Sequence, residues 1–147
     1  MLVRRDDGYE ISDDPARLDL DLVHHWLSTD AYWALGRPRD VLDRAVAGSL
    51  NYGLYRTDAS TGDAQVGFAR LITDRATFAY LCDVYLDRAV RGRGLGAWFV
   101  GAICDEARGW GPRRIMLTTA DAHGLYAKLG FTAMIEPDRW MELRLAP

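Results

Sequence analysis

A glycine-rich segment between a strand-like run and a helix-like run places the strongest constraint on the fold of this chain. It reads Arg-Gly-Arg-Gly-Leu-Gly over residues 91–96, after an apolar run at 78–86 and at the start of an amphipathic run at 95–110. Glycines let the backbone approach an anion closely, and the first turn of a helix presents unpaired N–H groups at the positive end of the helix dipole. The two arginines can bind phosphate oxygens in a fork. The segment therefore predicts a pyrophosphate-binding loop at a strand-to-helix turn.

Three kinds of phosphate-binding loop share such glycines, and their spacing separates them. A Walker A loop requires Gly-Lys followed by Ser or Thr, which the segment lacks. The dinucleotide fingerprint fits Gly92, Gly94 and Ala97, but it belongs early in a fold with an acid about twenty residues on, and residues 109–117 contain no acid. This disfavours a nicotinamide or flavin oxidoreductase. The third pattern is Arg91-x-x-Gly94-x-Gly96.

This third pattern and two longer stretches resemble the GNAT superfamily of N-acetyltransferases. Residues 84–92 follow the family's Leu-Tyr-Val-x-Pro-x-Tyr-Arg-Gly, with Arg88 in place of proline and Val90 in place of tyrosine. Residues 119–131 end in Leu-Tyr-Ala-Lys-Leu-Gly-Phe, similar to the family's Leu-Tyr-x-Lys-x-Gly-Phe. The resemblance implies one α/β domain over residues 1–147, layered as α+β. It also implies a mixed central sheet of about six to seven strands with about four helices, in which two strands splay apart to bind acyl-CoA.

Hydrophobic periodicity and turn residues predict the order of the elements. Strand-like runs occur at residues 9–12, 50–57, 66–73, 77–86, 114–119, 131–135 and 139–145. Apolar residues at helical spacing occur at 18–27, 41–49, 95–110 and 122–129. This order agrees with the fold that the resemblance implies, over nearly the whole chain.

Composition and charge bound the class of protein. The chain has 147 residues, 49% hydrophobic content and a net charge of −3, which suits a globular domain without a basic stripe for nucleic acid. No secretory signal or membrane-spanning apolar run is visible, so we expect no membrane partner. Cys82 and Cys104 are expected to be unpaired thiols of a cytoplasmic protein. His24 and His25 lack a third ligand, so we expect no metal. A homodimer is an open alternative to a monomer.

The resemblance implies acetyl-CoA as the acyl donor and assigns residues to its parts. The N–H groups of residues 93–96 would bind the pyrophosphate, and Arg91 or Arg93 would reach it or the 3′-phosphate. The backbone of Val84 and Leu86 would bond the pantetheine amides, opposite the strand end at 117–119. The complete set of predicted acyl-CoA residues is Val84, Leu86, Arg91, Gly92, Arg93, Gly94, Leu95, Gly96 and Thr119.

Acetyl transfer to an amine needs a proton for the departing sulfur, a donor to the oxyanion and a base for the amine. By resemblance, Tyr126 is the general acid and the N–H of Val84 is the oxyanion donor. Asp83 is the leading base, since it is the only acid on the strand before the loop, and the alternative role for its carboxylate is to order a bulge. His123 is a second candidate base, because it shares a helix face with Tyr126 at i, i+3.

In this family the first two helices, their connector and the hairpin between the last two strands commonly recognise the acceptor. The hairpin residues of this chain are Glu136, Asp138 and Trp140. The candidate aromatic residues of the helices and connector are Trp26, Tyr32 and Trp33, and Arg37 lies in the same region. The alternative is ordinary core or dimer packing, which the helical spacing of Trp26 with Leu22 favours for that residue. Several acids around these helices are expected to attract an ammonium ion: Asp19, Asp21, Asp30, Asp40 and Asp43. The predicted acceptor is a small-molecule amine or a protein amine. The alternative function is a non-catalytic domain that binds or senses acyl-CoA.

Overall fold

Six strands form one sheet whose spatial order follows the chain. The structure is a computed structural model that describes residues 1–145. All neighbouring strands are antiparallel except the last pair, which is parallel. The strands are β1 (Leu2–Arg5), β2 (Tyr9–Ser12), β3 (Leu50–Arg56), β4 (Ala64–Thr73), β5 (Ala79–Leu86) and β6 (Ile115–Met116).

Helices cover both faces of the sheet. They are α1 (Leu20–Thr29), α2 (Arg39–Ala47), α3 (Leu95–Arg108) and α4 (His123–Lys128). The apolar face of α1 packs with α2 and with Phe68 of β4, whereas α3 packs with Leu71 and Leu81 in a separate cluster. Because α3 crosses from β5 to the parallel β6, its N-terminus lies at the carboxyl end of β5. No helix within residues 1–145 is long and apolar enough to span a membrane.

The sequence at the helix ends accounts for where α1 and α3 begin. The side chain of Asp19 accepts a hydrogen bond from the N–H of Leu22 and so caps the first turn of α1. Gly94 precedes α3 with φ of 72°, in the left-handed region that favours glycine. Leu95, Phe99 and other buried residues of α3 follow at helical spacing and face the sheet.

A β-bulge in β5 changes which face its side chains occupy. The pairing with β4 shifts by one residue between Cys82 and Tyr85, and Asp83 lies within this shift with φ of 51°. Strand alternation would place Leu81 and Tyr85 on the same face. The extra residue instead places Leu81 in the cluster with α3 and Tyr85 in the cluster with α1 and α2. The bulge therefore turns the backbone at the position where the predicted base lies.

Most predicted elements form, and their mixed sheet with four helices agrees with the predicted fold class. Strand β1 was not predicted, because its short alternation lies at an exposed edge. The strand predicted at 114–119 is limited to Ile115–Met116, which leaves Thr119 in the loop before α4.

The predicted closing strands at 131–135 and 139–145 are wrong. The part of the chain that the structure describes after α4 contains a single 3-10 turn, Pro137–Arg139, and no strand. Ile135 is 93% exposed and Met141 is 97% exposed. The alternation of these residues favours a strand, but a strand needs a hydrogen-bonded neighbour. The two-residue β6 is too short to provide one, and Pro137 lacks a backbone donor.

Candidate active site

The parallel strands β5 and β6 separate after two paired residues and leave a cleft. Only Ala79 with Ile115 and Tyr80 with Met116 are in register. Beyond this point, the cleft of about 1150 Å³ has β5 residues on one wall and residues 118–122 on the other. The N-terminus of α3 closes one end, and residues 30–33 and 37 of the connector between α1 and α2 also line the cleft. The predicted splay is thus present and open to a ligand.

The N-terminus of α3 presents a glycine-rich backbone to the cleft. Gly92 and Gly94 both have positive φ, at 77° and 72°, and a Cβ added at Gly94 would meet no atom within 4 Å. The space in front of this backbone is therefore open. Gly96 has a different constraint, because a Cβ there would lie 2.9 Å from Cδ1 of Leu125. Gly96 lines the cleft, but its lack of a side chain also permits α3 to pack against α4.

Arg91 and Arg93, the two loop arginines, have different surroundings. Nε of Arg91 donates a 2.9 Å hydrogen bond to the carbonyl of Leu86, and its guanidinium lies 5.1 Å from the ring centre of Tyr85. Arg91 lines the cleft, whereas Arg93 is exposed outside the lining. Asp30 neighbours this end, where hydrogen bonds first from Arg88 and then from Tyr85 lower its pKa to about 2. The loop end therefore contains a preformed network of arginines.

Tyr126 lines the cleft from α4, on the wall opposite β5. Its ring packs edge-on against Phe131, with 5.8 Å between ring centres. Burial raises the pKa of the phenol to about 12, so it is protonated at neutral pH. Leu125 and Tyr126 both line the cleft, and Leu125 also contacts α3 at Gly96.

Asp83 projects from the bulge into a cluster of hydrogen-bond donors. Its Oδ1 accepts from Nε1 of Trp33 at 3.0 Å, and its Oδ2 accepts from Arg37 at 2.8 Å and from Arg70 at 2.9 Å. The carboxylate side chain is only 2% exposed. Burial alone would raise the pKa of Asp83, but the hydrogen bonds and charges of the two arginines outweigh it and hold the pKa below its ordinary value. A carboxylate in this state binds protons weakly.

The connector between α1 and α2 bridges the two walls of the cleft. Trp33 donates to Asp83 of β5, and the hydroxyl of Tyr32 accepts a 2.8 Å hydrogen bond from the N–H of Ala120 after β6. The rings of Tyr32 and Trp33 pack edge to face at 5.0 Å. Both predicted aromatics therefore line the cleft and tie its walls together.

Two predicted site residues lie elsewhere. Trp26 is 5% exposed and stacks on Tyr85 with 5.3 Å between ring centres, so it belongs to the core and not to the acceptor surface. Helical spacing places it on the buried stripe of α1. His123 is exposed at the first residue of α4 and lies outside the cleft lining, although it precedes Tyr126 by three residues.

The acids expected to attract an ammonium ion are engaged in other contacts. Four of the five form ion pairs with arginines, and the fifth caps α1. The paired acids are Asp21, Asp30, Asp40 and Asp43. The negative charges that were expected to attract the acceptor are therefore largely neutralised by neighbouring arginines.

Arg70 is the site residue that the sequence reasoning missed. It lies in the middle of the apolar strand β4, its side chain is 11% exposed, and it also donates to Ser49 Oγ at 2.8 Å. A lone arginine within an apolar strand is a detectable signal, because a buried charge needs a partner. Cys82 lines the cleft as a free thiol whose pKa is raised to about 11 by burial. Within residues 1–145, no cluster of three His, Cys, Asp or Glu residues could hold a metal ion.

Comparison with known proteins identifies the family. The model of the acetyltransferase (GNAT) family matches residues 20–131. A protein of the fungus Gibberella zeae, named provisionally as an acetyltransferase, is 38% identical over 135 residues, which cover 82% of this chain and 76% of that protein. A crystal structure from Xanthomonas campestris pv. campestris, described provisionally as a GNAT-family acetyltransferase, is 40% identical with a TM-score of 0.83 and covers 93% of both chains.

A more distant structure shares the fold alone. This Mycobacterium tuberculosis protein, solved in complex with CoA, is 20% identical with a TM-score of 0.66, and the match covers 84% of this chain and 72% of that chain. The family and the fold class predicted from the sequence are confirmed by these matches. The chain belongs to the GNAT family of acetyltransferases.

Proposed function

We propose that this protein transfers the acetyl group of acetyl-CoA to an amine by direct attack. The observation that carries the proposal is that three features face one cleft: the glycine-rich N-terminus of α3, the separated strands β5 and β6, and the phenol of Tyr126. Family membership supports acetyl transfer, and the motif resemblance supports nitrogen as the accepting atom. The acetyl-CoA and the amine are both substrates of this reaction.

The residues at the α3 end fit the phosphates of CoA. The open space in front of Gly94 and the positive end of the helix dipole suit a pyrophosphate, and Arg91 adds a cation. The backbone of Val84 and Leu86, along the part of β5 that no longer pairs with β6, would bond the pantetheine amides. Thr119 would face them from the other wall. The fold-related structure solved with CoA supports the use of acyl-CoA.

In the proposed reaction the neutral amine attacks the thioester carbon, the C–S bond breaks, and the proton lost by nitrogen ends on the sulfur of CoA. The N–H of Val84, next to the bulge, would donate to the oxyanion. Tyr126 would act as the general acid by donating a hydrogen bond to the departing sulfur. Because its pKa of about 12 exceeds the value of roughly 8.5 for a free thiol, we expect Tyr126 to stabilise the thiolate and relay a proton without remaining ionised.

Asp83 receives a different role from that of a base in this proposal. Both of its oxygens already accept hydrogen bonds, and its pKa is held below the ordinary value. We assign it to positioning Arg37 and Trp33 at the acceptor end of the cleft. The amine would enter in its neutral form or lose its proton to water, since His123 lies outside the cleft lining.

Release of free thiol from acetyl-CoA across a panel of amines tests the proposal. We expect amine-dependent thiol release, with an N-acetylated product detected by mass spectrometry. The alternative, a non-catalytic domain that binds acyl-CoA, predicts CoA binding in calorimetry without amine-dependent release. Turnover of hydroxyl or thiol acceptors, with amines inactive, would overturn the choice of nitrogen.

A further inference from the structure

The cluster around Asp83 contains more positive than negative charge. Arg37 and Arg70 both donate to Oδ2 of Asp83, so two guanidinium cations share one carboxylate. All three side chains line the cleft. Their exposed fractions are 20% for Arg37, 11% for Arg70 and 2% for Asp83, which places most of this charge away from bulk water. A surplus of one positive charge thus lies around Asp83 in the cleft lining.

The donors of this cluster are only partly used. Within residues 1–145, Nη1 of Arg37 donates to Asp83, whereas its Nε and Nη2 have no acceptor. Arg70 uses Nε for Asp83 and Nη1 for Ser49, which leaves Nη2 without an acceptor. Asp83 already uses three of its roughly four acceptor positions, for Trp33, Arg37 and Arg70. The unused N–H groups suit a second anion, and guanidinium binds carboxylate or phosphate in a fork.

The rest of the cleft does not neutralise this surplus. Five cationic side chains and three carboxylates line it, a surplus of two positive charges in a chain whose net charge is −3. The carboxylate of Asp30 is bound by Arg88 and lies near Arg91, at the end assigned to CoA. The charged lining residues are Arg37, Arg70, Arg88, Arg91, Lys128, Asp30, Asp83 and Asp121.

We propose that the acetyl acceptor carries an anionic group, a carboxylate or a phosphate, on the same molecule as its amine, and that Arg37 and Arg70 bind this group. This inference rests on the proposed function and names its substrate class. It replaces the expectation that surface acids select the acceptor, since four of those five acids already pair with arginines. Asp83 would orient the two guanidinium groups, and the bulge would direct Asp83 toward them.

Matched acceptors with and without the anionic group test the inference. We would compare 4-aminobutyrate with its amide, and 2-aminoethyl phosphate with ethanolamine, by measuring kcat/KM in the thiol-release assay. We expect a preference of at least about tenfold for the anionic member of at least one pair, the scale of one charge-assisted hydrogen bond. The two arms separate a carboxylate from a phosphate. Equal or better turnover of the neutral members of both pairs would overturn the inference.

Variants of Arg37 test whether this residue binds the anionic group of the acceptor. Arg37→Gln should raise KM for the anionic acceptor by at least about tenfold more than it raises KM for the neutral partner. Arg37→Lys should restore part of the preference, because it restores the charge without the fork. The matched control is Arg39→Gln, which removes an arginine that pairs with Asp21 and Asp43 outside the cleft lining. An equal loss with both acceptors in Arg37→Gln would reduce Arg37 to a structural contact and contradict the inference.

A binding measurement separates this inference from the proposed function. Calorimetry of the CoA-loaded protein with N-acetyl-4-aminobutyrate and N-acetyl-2-aminoethyl phosphate, each against its neutral counterpart, requires no catalysis. If no amine supports thiol release but an anionic compound binds the wild type and not Arg37→Gln, the anion site stands and the transfer function fails. If neither anionic compound binds better than its neutral counterpart, the anion site fails whatever the enzyme turns over.

Discussion

Nη1 of Arg37 donates a 2.8 Å hydrogen bond to Oδ2 of Asp83, and this contact joins the connector before α2 to the bulge of β5. The two side chains are 20% and 2% exposed. The carboxylate that lies where a catalytic base was expected is therefore the anchor of a largely buried cationic cluster. A carboxylate that binds two arginines accepts a proton less readily, so the hydrogen bonds to Asp83 favour a positioning role over that of a base.

Asp83→Asn should destabilise the protein by about 3 kcal/mol, because it removes the charge that compensates Arg37 and Arg70. Asparagine tolerates the left-handed backbone at this position, where φ is 51°, so the substitution isolates the charge. Urea unfolding measures the change. Asp43→Asn, which removes an exposed carboxylate paired with Arg39, is the control and should cost under about 1 kcal/mol. Equal unfolding free energies for both variants would contradict this account of the cluster.

The same carboxylate should make stability depend on pH in the acid range. The folded-state pKa of Asp83 lies below its unfolded value, so its contribution is present above an unfolded pKa of about 3.9 and is lost as pH falls through the folded pKa. Thermal unfolding followed by circular dichroism should show that Tm decreases as the pH is lowered below about 4. The fall should be smaller in Asp83→Asn. Parallel curves for the two proteins would show that Asp83 does not contribute to the pH dependence.

Tyr126→Phe keeps the packing against Phe131 and removes the phenolic donor. If the phenol stabilises the departing thiolate, kcat should fall by about 10²–10⁴ while CoA affinity is retained. Steady-state kinetics and calorimetry measure the two quantities. Tyr55→Phe is the matched control, since the hydroxyl of Tyr55 is buried without a hydrogen-bond partner in the described residues and lies outside the cleft lining. A near-native kcat for Tyr126→Phe would reduce Tyr126 to a packing residue.

Tyr32→Phe should loosen the bridge across the cleft. The hydroxyl of Tyr32 accepts from the N–H of Ala120, and a hydrogen bond of this kind contributes about 0.5–1.5 kcal/mol. The amide of Ala120 should therefore exchange its hydrogen about 2–13 times faster in the variant, as measured by NMR. The same amide should be unaffected in Tyr55→Phe. Unchanged exchange at Ala120 in Tyr32→Phe would show that the bridge does not hold the walls together in solution.

The sequence predicts the loop and the order of most elements because these depend on local chemistry. The glycine spacing at residues 91–96 and the buried stripe of α3 are both read from consecutive residues. Cleft residues that follow a motif, such as Gly94 and Tyr126, are found in the same way. Trp26 lies on the buried stripe of its helix, so its helical spacing predicted its position better than its assignment to the acceptor site did.

Features that depend on long-range pairing were not predicted. A carboxylate that orders a bulge was the alternative role predicted for Asp83, but the face that the side chain occupies depends on a one-residue shift against β4. Its partners Arg37 and Arg70 are 46 and 13 residues away in sequence. The residues after α4 have strand-like alternation, but the shortness of β6 removes their partner, and only the assembled sheet reveals this.

Titration of CoA into three proteins tests the central claim, that the N-terminus of α3 and the separated strands bind the acyl donor. Calorimetry should detect binding to the wild type and a loss of at least about tenfold in affinity for Gly94→Ala, whose Cβ enters the open space in front of the loop. Gly111→Ala controls for backbone strain, because Gly111 has a similar φ of 75° and an equally open Cβ position but lies outside the cleft lining. It should bind CoA like the wild type. Absence of CoA binding to the wild type, or equal affinities for all three proteins, would contradict the account.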